Sequence, residues 1–357
     1  PDATLAMRVA AAIGQRFAER YEVEALLGRG GMGSVYRVRD RALDELVALK
    51  LLDPSVATPE AIERFRREVR LARRVTHRNA ARTFDLGEWQ AHRYLTMEFV
   101  DGQSLREFLP RGDAPRWLAP SRVVDFITQI ARGLAAAHES GVVHRDLKPA
   151  NVLVERGGRV VITDFGIARG VQSSDATLHT GGLLGTPAYM SPEQISGESV
   201  EAPSDLYSLG LMVFEMLTGK LPFSGDTPMA TAMARLHRPL PDMRSDSAIP
   251  TSVAPLLERL LAREVAGRPA SANEVVVLLE QALREFDDRD TGTLGMAPAT
   301  AHTPRPTLAT SSSGGSSSPT LGGPTPTSMP SRAKAHAVLP FRYRGPEAER
   351  YVAETLS

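Results

Sequence analysis

Near residue 100 the hydrophobic pattern of this chain changes period. Before that point, apolar residues come in short runs bounded by turn signals, which read as strands at 21–27, 34–39, 46–51, 83–88 and 94–99. One helical segment, 59–74, interrupts them, with Ile62, Phe65, Val69 and Ala72 at the three- and four-residue spacings that make one helical face. Beyond Gly102 the pattern is mainly helical, over 121–139, 204–218, 253–261 and 272–286. A small strand lobe followed by a larger helical lobe implies an α+β fold with a cleft between two halves, a common place for a nucleotide.

The periodic part ends near Phe286. From 287 to 334 the composition collapses into Thr, Ser, Pro and Gly, which cannot bury enough apolar surface to offset ordering entropy, so this stretch reads as a flexible linker. A strand-like run at 337–341 and a helix-like run at 347–356 then read as the start of a further, truncated unit. Because the chain opens on Pro1 and stops inside that run, we read it as a piece of a longer protein with residues 1–20 as a flank. Lys plus Arg and Asp plus Glu are 42 each, so nothing in the charge points to nucleic acid or an anionic membrane. Cysteine is absent, which removes disulfide and thiolate chemistry. The longest apolar stretch, 206–217, falls short of the roughly 20 residues that span a bilayer.

Four motifs carry the chemistry. Gly28-Arg29-Gly30-Gly31-Met32-Gly33 is a G-x-G-x-x-G run that leads into Ser34-Val35-Tyr36-Arg37-Val38, a strand. A dinucleotide turn must open into a helix, so a hairpin lying over phosphates fits better. Lys50 ends the apolar strand Val47-Ala48-Leu49-Lys50. Read alone it is an edge lysine; if buried it needs a carboxylate, with Glu68 in mid-helix the first candidate and Glu63 and Glu60 lesser ones. His144-Arg145-Asp146-Leu147-Lys148-Pro149-Ala150-Asn151 sets five polar identities at fixed spacing. Asp146 can accept a hydroxyl proton, Lys148 can neutralise a transferring phosphoryl group, and Asn151 can ligate magnesium. Asp164-Phe165-Gly166, after the apolar Val160-Val161-Ile162, supplies the carboxylate that magnesium requires.

Taken in order, these motifs resemble the eukaryotic-like (Hanks-type) protein kinases, most closely their bacterial serine/threonine branch, over residues 21–286. The resemblance implies a bilobal protein-kinase fold: a small antiparallel-sheet N-lobe with one regulatory helix (21–99) and a larger, mainly helical C-lobe (102–286). It implies a non-specific serine/threonine protein kinase that moves the ATP γ-phosphoryl group to protein hydroxyls, with ATP and Mg2+ as cofactors. Asp146, Lys148, Lys50 and Asn151 are the catalytic expectation, and Asn151 and Asp164 the metal ligands. Gly28, Gly30, Gly33, Val35, Ala48, Lys50, Glu68, Met97, Glu98 and Val100 form the expected ATP site, Met97 at its back and Glu98 and Val100 on the hinge. Lys148-Pro149 and Gly185-Thr186 point to Ser or Thr acceptors. Glu193 of Ser191-Pro192-Glu193 is expected to pair with Arg268, and Asp205 to brace the catalytic loop.

Arg145, beside Asp146, is a ready receptor for an activation-loop phosphate. The candidates are Thr180, Thr177, Ser173 and Ser174, with Thr180 at the position usual in bacterial relatives, so autophosphorylation in signal transduction is expected. The implied partners are protein substrates and the chain itself; no nucleic acid and no membrane segment in this piece are expected. A homodimer through the strand lobe is what relatives allow. The expected location is cytoplasmic. His77-Arg78-Asn79 departs from the usual His-Pro-Asn, and residues 337–357 faintly resemble the opening of a TolB-like domain. The competing readings are a pseudokinase scaffold, disfavoured because no catalytic group is missing, and a sensor module of a larger fusion.

Overall fold

The computed structural model describes residue 14 and residues 16–30, 33–52, 59–90, 92–109, 118–165 and 187–292. Strands β1 (Arg16–Phe17), β2 (Tyr21–Gly30), β3 (Gly33–Asp40), β4 (Glu45–Leu52), β5 (Thr83–Trp89) and β6 (His92–Glu98) make an antiparallel sheet in the order β1-β2-β3-β4-β6-β5. Helix α1 (Pro59–Ala72) connects β4 to β5.

The sheet has two apolar faces because its strands alternate. On β3 every second residue is buried, and Tyr36 and Val38 join Phe17, Tyr21, Val23, Val47, Leu49 and Leu51 in the outer layer. Edge-on contacts of Phe17 with Trp89 and Tyr94 close that layer. Residues directly opposite each other in an antiparallel ladder share a face. Val35 lies opposite Lys50, Lys50 opposite Leu95, and Ala48 opposite Met97, so all five stand on the inner face. Phe65 and Val69 of α1 pack there against Ala48, Leu95 and Met97. The helix is shorter than its periodicity suggested: Arg74 and Val75 donate to Leu71 and Ala72 carbonyls, the tight bonds that close a last turn.

The C-lobe holds β7 (Gly102–Ser104), α2 (Leu105–Phe108), α3 (Pro120–Glu139), β8 (Val152–Glu155), β9 (Val160–Ile162), α4 (Pro192–Ser196), α5 (Ala202–Thr218), α6 (Pro228–His237), α7 (Ala254–Leu260) and α8 (Ala272–Gly292). Strands β7, β8 and β9 form a small antiparallel sheet. Helix α5 is buried on every side from Ser204 to Leu217, so it is the axis of the lobe. Buried polar residues along it find partners: Ser208 donates to Tyr189 O, and Glu215 accepts from Arg106 and Tyr189. It stops at Gly219, whose φ of +76° suits glycine and whose N–H caps Glu215 O. Helix α8 runs on through Gly292, taking in residues that composition alone assigned to the linker. Residues 293–334 and the further unit at 335–357 lie outside the described residues. Among the described residues no helix is long and apolar enough to cross a membrane.

Candidate active site

Between α3 and β8 the chain forms a loop whose backbone is pinned from below. Asp205, buried at the start of α5, accepts from the backbone N–H of His144 and of Arg145, both at 2.8 Å, and from His138 Nε2 at 2.8 Å. These bonds hold Arg145 at φ +65°, a left-handed conformation that costs a non-glycine residue about 1–3 kcal/mol. His144 donates from Nε2 to Thr163 O and accepts the Asp146 N–H at Nδ1, which aims the next residue.

Asp146 is thereby presented with two cationic or amide partners. Lys148 Nζ lies 2.7 Å from its Oδ2, and Asn151 Nδ2 donates to its carbonyl at 2.8 Å and to Oδ2 at 3.1 Å. Because its nitrogen is so used, Asn151 keeps its amide oxygen for another ligand. Thr163 donates its N–H to Asn151 O at 2.8 Å, which brings the end of β9, and with it Asp164, beside Asn151. Asp164 sits at φ +61° and gives only one carboxylate oxygen to Lys50. An amide oxygen and a spare carboxylate oxygen suit magnesium, which binds one or two such groups plus phosphates and water. Among the described residues no group of three or more His, Cys, Asp or Glu could hold a metal by itself.

The ion pairs of the cleft differ from the expected set. Lys50 Nζ is bonded to Asp164 Oδ1 at 2.7 Å, and Glu68 Oε1 is bonded to Arg145 Nη1 at 2.6 Å. The carboxylate that sequence assigned to Lys50 is thus held by the arginine that sequence assigned to a phosphate. The ammonium on the inner face of the sheet thus takes Asp164, and Arg145 takes the acidic residue of α1. Burial pushes the Asp164 carboxyl up, but Lys50, His144 and Lys148 outweigh it and hold the group below the usual carboxylate range.

Val35, Ala48 and Met97 line the inner face of the sheet, and Val100 is buried just past β6. Glu98 donates its N–H to Arg82 O at 2.8 Å, and its side chain pairs with Arg159 at 2.6 Å. Gly33 has φ +134°, and a Cβ there would fall 1.8 Å from Leu51 O. At Gly28 and Gly30 a Cβ would meet nothing within 4 Å, so the protein's own packing does not demand glycine there. Close approach of a ligand to the hairpin is one physical reason for glycine there.

Several supporting residues were not singled out from sequence. Gln194 donates from Nε2 to Arg145 O at 2.7 Å, linking α4 to the catalytic loop. Its signal was present: Ser191 and Gln194 form an S-x-x-Q capping box at the start of α4. Asn79, which the sequence offered only as the end of the atypical His77-Arg78-Asn79, donates to Gln129 Oε1 and Val160 O, anchoring the segment after α1. Arg268 makes the expected pair with Glu193, doubly bonded at 2.7 and 2.9 Å, and lies over the Tyr207 ring. Gly31, Met32, Gly166, Ser173, Ser174, Thr177, Thr180, Gly185 and Thr186 lie outside the described residues.

Comparison with known proteins agrees with this geometry. Residues 21–278 match the family described as protein kinase domain. The chain is 36% identical over 267 residues to the probable serine/threonine-protein kinase PknB of Lactococcus lactis, covering 74% of this chain and 42% of that protein. It is 37% identical over 265 residues to the serine/threonine-protein kinase PrkC of Bacillus subtilis, covering 74% of this chain and 40% of that protein. The chain therefore spans less than half the length of these two relatives. The crystal structure of the Mycobacterium tuberculosis PknI kinase domain superposes with a TM-score of 0.58 at 29% identity, covering 76% of this chain and 98% of that one. The chain belongs to the protein kinase family, with its catalytic domain at residues 21–278.

Proposed function

We propose that this chain transfers the γ-phosphoryl group of ATP to Ser or Thr hydroxyls of proteins, its own activation loop among them. The observation that carries this reading is the cluster of Asp146, Lys148 and Asn151 on a loop pinned by Asp205. Asp146 orients the acceptor hydroxyl and takes its proton as the oxygen attacks. Lys148, 2.7 Å from that carboxylate, also reaches the transferring phosphoryl group and offsets its charge. Lys50 holds the α and β phosphates, and the hairpin of β2 and β3 covers them. Asn151 and Asp164 would hold magnesium, which neutralises phosphate charge when bound. Met97, Glu98 and Val100 frame the adenine, with Val35 and Ala48 as apolar walls.

Control follows from the observed pairing. A phosphate on Thr180, Thr177, Ser173 or Ser174 brings about −1.5 to −2 charges, and competes with Glu68 for Arg145. Glu68, released, is then available to Lys50. The reading places the domain where ATP is, in the cytoplasm, and allows a homodimer through the strand lobe.

The test is γ-phosphate transfer from labelled ATP with magnesium to a generic basic protein, followed by phosphoamino-acid analysis. Label on Ser or Thr that disappears in Asp146→Asn supports the reading. Label on Tyr alone, or equal label from the variant, contradicts it.

A further inference from the structure

A second cavity candidate stands apart from the ATP site. A pocket of about 290 Å³ in the C-lobe is lined by Tyr207 of α5, Phe223, Arg235 of α6, Arg238, Leu261 and Arg263, none of which serves the reaction described above. Its charge is unusual. Three guanidinium groups surround it, and among the described residues none of them has a carboxylate partner. Arg235 donates to the carbonyls of Pro187, at 2.6 Å, and Ala188. Arg238 donates to Ser224 O at 2.9 Å, and Arg263 to Arg238 O at 3.0 Å. The one acidic residue on the lining is Glu264.

Arg235 is the informative member. It is 1% exposed, and its Nε has no hydrogen-bond partner. Burying a guanidinium without a counter-ion is expensive, and here burial does depress its affinity for the proton. Elsewhere in the lobe the same problem is solved within the fold, as when Arg268 takes Glu193. Around Arg235 the fold supplies carbonyl dipoles instead, and the buried side chain forms part of the pocket wall beside the exposed Arg238 and Arg263. Apart from Glu264, the rest of the lining, Tyr207, Phe223, Leu240, Leu261 and Ala262, is aromatic or aliphatic. The volume is at the lower end of small-molecule sites.

We propose that this cavity binds a small organic anion, an oxyanion head on an aromatic body, with Arg235, Arg238 and Arg263 as its counter-charges. Occupancy bears on the segment that follows the activation loop, because Arg235 carries the carbonyls of Pro187 and Ala188.

Titration calorimetry of the full chain with phenyl phosphate, benzoate and inorganic phosphate tests this. Arg235 is left intact, since its loss would disturb the fold; Arg238 and Arg263 are exposed and can be changed. The expected result is saturable one-site binding of phenyl phosphate or benzoate, undisturbed by a saturating non-hydrolysable ATP analogue. It should weaken about tenfold or more in the double variant Arg238→Gln, Arg263→Gln, as loss of charge-assisted bonds requires. Glu264→Gln should tighten it. No saturable binding of either aromatic probe overturns the proposal. So does equal affinity in the double variant, displacement by the ATP analogue, or inorganic phosphate binding as tightly as the aromatic probes.

Discussion

The catalytic loop separates two ways of holding charge. Beneath it, in the C-lobe, Asp205 is 1% exposed and accepts three donors, and Glu193 and Arg268 are sealed in a doubly bonded pair. Above it, in the cleft, Lys148–Asp146 and Arg145–Glu68 are each partly open to solvent, while Lys50, itself buried, reaches an Asp164 side chain that is 29% exposed. A sealed, multiply bonded pair is costly to break because each partner is left charged in a poor solvent. A wetted pair loses little when it changes partner. The lower set therefore acts as a frame, and under the proposed function the upper set is made of groups to be handed from protein to substrate or phosphate.

The largest effect on that contrast is expected within the cleft chemistry itself: Asp146→Asn should lower the rate of transfer by about 10²- to 10⁴-fold without moving the unfolding midpoint. In the frame the opposite split is expected. Arg268→Met leaves Glu193 buried without its partner and removes bonds to the Pro203, Ala262 and Arg263 carbonyls, so urea unfolding should show a loss of about 3–5 kcal/mol.

Acid sharpens the same comparison. Burial raises the Glu193 carboxyl, but Arg268 and Ser204 outweigh it and hold the group below the usual carboxylate range. A lowered folded pKa means the unfolded chain binds the proton more readily. The stability it contributes is full above the ordinary value of about 4.3 and is lost as pH falls through that range toward the folded value. The midpoint of urea unfolding should thus fall more steeply below about pH 5 for the native chain than for Glu193→Gln. The smallest effects belong to wetted pairs. Glu68→Gln should cost no more than about 1 kcal/mol in unfolding, and Arg66→Ala, at an exposed pair with Glu63, about 0.5 kcal/mol or less.

The split between frame and cleft also marks what the sequence could tell. Residue identity and period were enough to place Asp146, Asn151 and Asp164 together, because they lie on one loop and one strand end joined by short-range bonds. The Glu193–Arg268 pair and the bracing by Asp205 were legible through the resemblance. The partner of Glu68 was not. Several cations stand within reach of α1, and which one a carboxylate takes depends on the helix position and on the loop after Asp164, neither of which is a local property of the sequence. Arg235 was missed for a related reason: nothing at the level of sequence distinguishes a surface arginine at a helix end from one that turns inward to two carbonyls. Helix α8 outran its expected end because Asp, Arg and Thr at 287–291 read as linker composition while remaining compatible with helix.

The claim that cleft pairs exchange partners has a direct measurement. A double-mutant cycle of Glu68→Gln and Arg145→Gln, read by urea unfolding, gives the coupling between the two residues before and after incubation with ATP and magnesium, with loop phosphorylation followed by mass spectrometry. The account predicts a coupling of about 0.5–1 kcal/mol in the phosphatase-treated chain that falls to near zero once the loop is phosphorylated. Equal coupling in both forms would contradict it.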